Sequence, residues 1–195
     1  MSELVKSCYI LFPEITLAIG AMVLMLVGAF SSKPQDITDV NSFRKIAYGS
    51  LIFIALAIGS LFVIGAEHLY GSYFNDLIVL DKFAIFTKFL ILIAGFSVLW
   101  ISIGYCKRNH KNFPFEYSLL ILLSLCGMLI MTSAADFLTL YLGLEMQSLA
   151  LYVLAAINRH DAKSSEAAVK YFVLGALASG VLLSRLTEHF MLLDA

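Results

Sequence analysis

Six apolar stretches alternate with short polar ones along the chain: residues 15–32, 46–66, 89–106, 117–135, 137–157 and 167–184. Each reaches the ~18 residues at which an apolar run reads as a membrane-spanning helix, since about twenty residues at ~1.5 Å rise cross a ~30 Å hydrocarbon core. The pattern predicts an all-α polytopic membrane protein of six transmembrane helices. The third helix is expected to begin early, near Leu77, with Asp81, Lys82 and Lys88 in its first turns. The fourth and fifth runs nearly touch, so residues 133–136 must form a tight turn, with Asp136 placed to cap the fifth helix. Pro13 and Pro114 stand where helices start and read as initiators.

Composition agrees with this class. Hydrophobic residues make up 61% of the chain and charged residues 14%, against about 45–50% and about 25% in soluble domains. A net charge of −1 gives no reason to expect a nucleic-acid partner. The N-terminus lacks the basic region and small-residue cleavage site of a removable signal peptide, so the first span is expected to stay in the lipid bilayer. Cys8, Cys106 and Cys126 form no CxxC pair, and His68, His110, His160 and His189 lack metal-ligand spacing; neither set predicts a metal site.

Loop charges set an orientation. The first, third and fifth connections hold eight basic residues: Lys33, Arg44, Lys45, Lys107, Arg108, Lys111, Arg159 and Lys163. The second and fourth, residues 67–76 and Asp136, hold none. The positive-inside rule places the odd connections in the cytoplasm and the N-terminus outside.

Against this background two charges stand out. Glu145 interrupts the fifth run near its middle, and Lys170 lies a few residues inside the sixth. A carboxylate at the centre of a span costs roughly 2.5–3.5 kcal/mol on insertion scales, and groups kept at that cost commonly carry protons or ions. Burial and a nearby opposite charge act on a proton affinity in ways that depend on separation, so a carboxylate and an amine that move relative to one another can pass a proton. Structural alternatives stay open. Lys170 can snorkel or pair with Glu166 one turn earlier; Glu145 can be a neutral acid hydrogen-bonded to Gln147, Ser148 or another helix. Asp81 and Lys88 read as interfacial anchors, and Glu14 as a group stabilising a helix N-terminus. Gly175 with Ser179, and Ala176 with Gly180, make a small-residue face suited to close helix packing.

Several of these residues fall in a recognisable order. Ala135-Asp136-Phe137-Leu138 leads into Gly143-Leu144-Glu145 and Ser148-Leu149-Ala150-Leu151-Tyr152; Ser165-Glu166-Ala167-Ala168-Val169-Lys170-Tyr171-Phe172 follows. Leu11-Phe12-Pro13-Glu14 and Asp81-Lys82-Phe83-Ala84 with Lys88 belong to the same pattern. The sequence resembles subunit N of bacterial NADH-quinone oxidoreductase (respiratory complex I), an antiporter-like membrane subunit, up to about Leu183. The resemblance implies that Glu145 is the family's mid-membrane glutamate and that Lys170 matches a lysine on its following helix, both serving proton translocation. It implies a place in the bacterial inner (plasma) membrane beside other complex I membrane subunits. FMN, iron–sulfur clusters, NADH and quinone would be used elsewhere in that complex, and no cofactor is expected on this chain. Family members have about fourteen helices built on inverted repeats. The expectation is therefore an N-terminal portion: a membrane domain over residues 1–183 and a divergent tail over 184–195, insufficient to pump alone. A subunit of a multisubunit cation/proton antiporter and an inactive remnant are the rival readings.

Overall fold

A computed structural model describes residues 9–31, 40–66, 71–74, 77–109, 113–158 and 161–193. Cys8, His68, His110, His160, Lys33, Lys111 and Arg159 lie outside the described residues, as does the side chain of His189.

Among the described residues the fold has six long helices: α1 (Phe12–Ser31), α2 (Val40–Ala66), α3 (Lys82–Asn109), α4 (Glu116–Ser133), α5 (Phe137–Ala155) and α6 (Ala162–Leu193). All six are long and apolar enough to cross a membrane. Between α2 and α3 stands a short antiparallel hairpin, β1 (Gly71–Tyr73) with β2 (Ile78–Leu80), in which Ser72 faces Val79. Phe74 adopts a positive φ at its turn. This corrects the expected start of the third helix. Residues 78–80, Ile-Val-Leu, are apolar enough to extend a helical pattern, but they pair with β1, and α3 begins only at Lys82. Ile, Val and Leu satisfy a strand as readily as a helix, so hydropathy alone could not separate the two.

The core follows a two-turn spacing. Leu17 and Leu24 of α1, Ile54 and Leu61 of α2, Leu92 and Leu99 of α3, and Leu122 and Leu129 of α4 are all buried in one cluster. Residues seven apart lie on one helix face, so each helix brings a single stripe to a shared centre. A smaller cluster, Ile10, Ile64 and Leu80, closes the hairpin end; Phe43, Ala47 and Cys106, with Phe113 and Tyr117 packed against them, close the other. Large apolar side chains such as Phe30 and Phe62 are exposed around the outside. That surface suits lipid, where nothing drives such groups inward.

The hairpin and the α4–α5 turn lie together. Ile78 bridges Ala134, and the Ala135 amide donates to the Leu77 carbonyl at 3.0 Å. The two connections without basic residues thus share one end of the bundle. Asp136 caps α5 as the sequence predicts, its Oδ2 accepting from the Leu138 amide at 3.1 Å. Tyr117 N donates to the Pro114 carbonyl as α4 begins. At the far end α6 exceeds its expected bounds. It runs from Ala162 to Leu193, through the position at which the tail was expected to begin.

Candidate functional site

The site is built on α5, which two glycines draw unusually close to α4. A Cβ placed on Gly127 would stand 2.7 Å from the Gln147 nitrogen and 2.8 Å from the Gly143 oxygen; one on Gly143 would stand 3.0 Å from the Gly127 oxygen. The two backbones therefore touch, and Gly143 and Gln147 flank Glu145. With one side of α5 fixed on α4, the other is free to carry the carboxylate towards α6.

Ser179 of α6 meets it there. Ser179 Oγ donates a short hydrogen bond to Glu145 Oε1, and both residues are half-buried. Two turns further along the same face of α5, Tyr152 packs edge-on against Tyr171 and Phe172, with ring centroids 4.9 Å and 5.6 Å away. Its hydroxyl occupies the space a side chain at Gly175 would need. The small-residue face of α6 is thus used at Gly175 and Ser179, as the spacing suggests. Gln147 and Ser148, considered from sequence as partners for Glu145, are not the groups that bind its Oε1.

Lys170 is not brought to Glu145. Its Nζ donates to Glu166 Oε1 at 2.5 Å, one turn earlier on α6, and the two side chains are 70% and 64% exposed. Since Ser179 marks the level of Glu145, a separation of nine residues puts Lys170 about 13 Å along the helix axis. Nine residues are also two and a half turns, which turns Lys170 to the side of α6 away from Ser179. Because α6 starts at Ala162, Lys170 is roughly 12 Å inside its own helix, deeper than the apolar run implies.

Sequence reading missed a second charge pair. Lys88 Nζ donates to Glu14 Oε1 at 2.6 Å, with the side chains 0% and 5% exposed. This corrects the reading of Lys88 as an interfacial anchor and of Glu14 as chiefly a partner for its own helix N-terminus. Each buried ion forgoes hydration worth several kcal/mol, which the attraction between them must offset. The signal was present: with alternating helices, α1 and α3 both start at the same membrane face, and Glu14 and Lys88, of opposite sign, each lie within the first two turns. The Glu14 carbonyl also lies 3.6 Å from Cys126 Sγ of α4, and Glu14 Oε2 is buried with no hydrogen-bond partner. Asp81, by contrast, is exposed ahead of α3, where its carbonyl accepts from the Ile85 amide.

Comparison with known proteins places this geometry in a wider group. A family model described as "NADH:quinone oxidoreductase/Mrp antiporter, TM" matches residues 134–190, the α5–α6 unit carrying Glu145 and Lys170. NADH-quinone oxidoreductase subunit N of Bartonella bacilliformis is 39% identical over 182 residues, covering 93% of this chain and 35% of that protein. The subunit N of Paramagnetospirillum magneticum is 45% identical over 175 residues, covering 88% of this chain and 33% of the relative. A chain in the structure of respiratory complex I from Thermus thermophilus with bound Aureothin superposes with a TM-score of 0.65 at 27% identity, over 86% of this chain and 34% of that one. The chain spans about a third of the length of the curated relatives it matches.

Proposed function

This chain is related to NADH-quinone oxidoreductase subunit N over about nine-tenths of its own length, and from that relationship we propose that it acts as a membrane subunit of a proton-pumping NADH-quinone oxidoreductase. In such a complex the energy of electron transfer from NADH to quinone drives protons across the membrane. Electron transfer itself falls to other subunits, with their FMN and iron–sulfur clusters. The observation that carries the proposal is Glu145, a carboxylate inside an apolar helix whose Oε1 is held by the Ser179 hydroxyl of the neighbouring span.

That arrangement holds a proton in a defined place. The ionised carboxylate accepts the Ser179 hydroxyl hydrogen; when Glu145 takes up a proton, its acid group donates instead and the hydroxyl turns to accept. Ser179 thus keeps one partner in both charge states, which lowers the cost of switching between them. Lys170 is the second proposed station. About 13 Å of helix separates the two, so a proton passes between them through intermediate carriers, and Lys170 faces the side of α6 where further membrane helices would pack. Only 6% of the most apolar stretch of α6 is buried, against 50% for α4, in keeping with a face meant for other protein.

Orientation follows the basic residues: we place the N-terminus and the hairpin outside, with the α1–α2, α3–α4 and α5–α6 connections in the cytoplasm of a bacterial inner membrane. Residues 1–183 form the proposed membrane domain and 184–195 the proposed divergent tail, whose residues 184–193 continue α6. The family description also covers multisubunit antiporters, and neighbouring genes distinguish the two settings. The direct test is proton pumping driven by NADH oxidation in the assembled complex carrying Glu145→Gln. Unchanged pumping with this neutral isostere would reduce Glu145 to a structural acid.

A further inference from the structure

The Glu14–Lys88 pair is unused by the route just described, yet it is the more deeply buried of the two charged sites. Among the described residues, few charged groups surround it. α1 carries no other charged residue beyond Glu14, and α2 has none from Gly49 to Ala66. Lys82 at the start of α3 and Asp81 just ahead of it lie about two turns away towards the hairpin end. From α4 only the Cys126 thiol approaches, at the Glu14 carbonyl.

Packing alone gives little reason to keep such a pair. Well-packed apolar residues of the same volume commonly serve a buried site as well or better. A pair retained only to fix helix register would also be expected to use both carboxylate oxygens, since buried polar atoms without partners are costly. Here Oε1 is committed to Lys88 while Oε2 is buried and unpartnered. One oxygen holds the counter-charge and the other is open to a proton.

The position is also informative. Glu14 meets α4 at Cys126, and the next residue, Gly127, meets α5 at Gly143 and Gln147 on either side of Glu145. The two carboxylates therefore stand at similar depth on different faces of α4.

We propose that Glu14 and Lys88 form a second proton-holding site, level with Glu145 and separated from it by α4; this rests on the proton-translocating reading above. A proton arriving at Oε2 converts the Glu14 carboxylate to the acid and leaves the Lys88 ammonium without its counter-charge. Loss of that proton restores the ion pair. Lys88 remains protonated throughout, so each cycle carries one proton in and one out. Because a charge gained at one carboxylate is felt across a low-dielectric helix layer, loading Glu14 disfavours loading Glu145.

The test compares wild type, Glu145→Gln and the double variant Glu14→Gln/Lys88→Met, which removes both charges together and strands neither. In the full chain in lipid vesicles, infrared pH-difference spectra should show two reversible protonated-carboxyl contributions, one lost in Glu145→Gln and the other, from Glu14, retained there and lost in the double variant. In the assembled complex the double variant should insert normally and lose most of its proton pumping. A spectrum with no Glu14-dependent band, or wild-type pumping by the double variant, would overturn the proposal and leave a structural ion pair. Failure of the double variant to insert, with no such band in the wild-type chain, would do the same. A Glu14 band that persists while Glu145→Gln pumps normally would instead count against the proposed route through Glu145 alone.

Discussion

Gly127 of α4 and Gly143 of α5 bring two membrane helices into backbone contact, each lying where the other's side chain would have to go. The atoms a new Cβ would strike are main-chain nitrogen and oxygen, which cannot swing aside. Gly127→Val should therefore force the helices apart at a cost of about 1–3 kcal/mol. The check is a lower denaturation midpoint in detergent, together with a weaker Glu145-dependent signal, since Glu145 sits in the stretch that would shift. A variant as stable as wild type would show that α5 slides freely on α4.

Ser179→Ala separates hydrogen bonding from packing at the Glu145 site. Removing the hydroxyl takes away one hydrogen bond to a charged group, worth about 1.5–3 kcal/mol, and leaves the aromatic contacts of Tyr152 in place. Pumping in the assembled complex should fall while insertion is normal. Ser179→Thr keeps a hydroxyl and should recover part of the activity. Equal activity for Ala and Thr would remove Ser179 from the route.

At Lys170, stability and activity should part company. Its pair with Glu166 is largely exposed, and such pairs contribute about 0.3–0.5 kcal/mol. Glu166→Gln should leave both stability and pumping close to wild type. Lys170→Met should also leave the fold intact, yet reduce pumping if Lys170 is a proton station. Matching losses of activity in the two variants would mean that the Glu166–Lys170 pair acts as a unit.

Orientation can be read chemically. With the native cysteines replaced by serine, single cysteines at Ser72 and Lys163 should react with a membrane-impermeant maleimide from opposite sides, Ser72 from outside. Both positions are exposed, one in β1 and the other at the start of α6. Labelling from one side would break the alternating topology.

Much of this arrangement can be read from residue order alone. Six spans follow from hydropathy because the bilayer fixes helix length. The Asp136 cap follows because a short polar side chain before an apolar run has one favourable use there. Glu145 was visible for the same reason, being a charge with no local partner at a depth that forbids snorkelling. Ser179 was legible only as a small residue for packing, because its hydroxyl gains a role only when α5 and α6 are side by side. Lys88 was harder still. Its counter-charge lies 74 residues away in sequence, and a lysine near a helix end looks the same whether it turns to the interface or inward. The hairpin was missed because residues 78–80 fit helix and strand equally well, and only β1 decides between them.

The connection from Ser133 to Phe137 has a bearing on how the protein is made. Only Ala134, Ala135 and Asp136 join α4 to α5, which ties the two helices end to end with almost no slack. A link this short favours their delivery to lipid as one folded-back unit with Asp136 at its tip. The glycine contact between them can then form at insertion, before α6 has been synthesised. Glu145 would thus enter the membrane on a helix already anchored on one side, and would wait for Ser179 to arrive on the other.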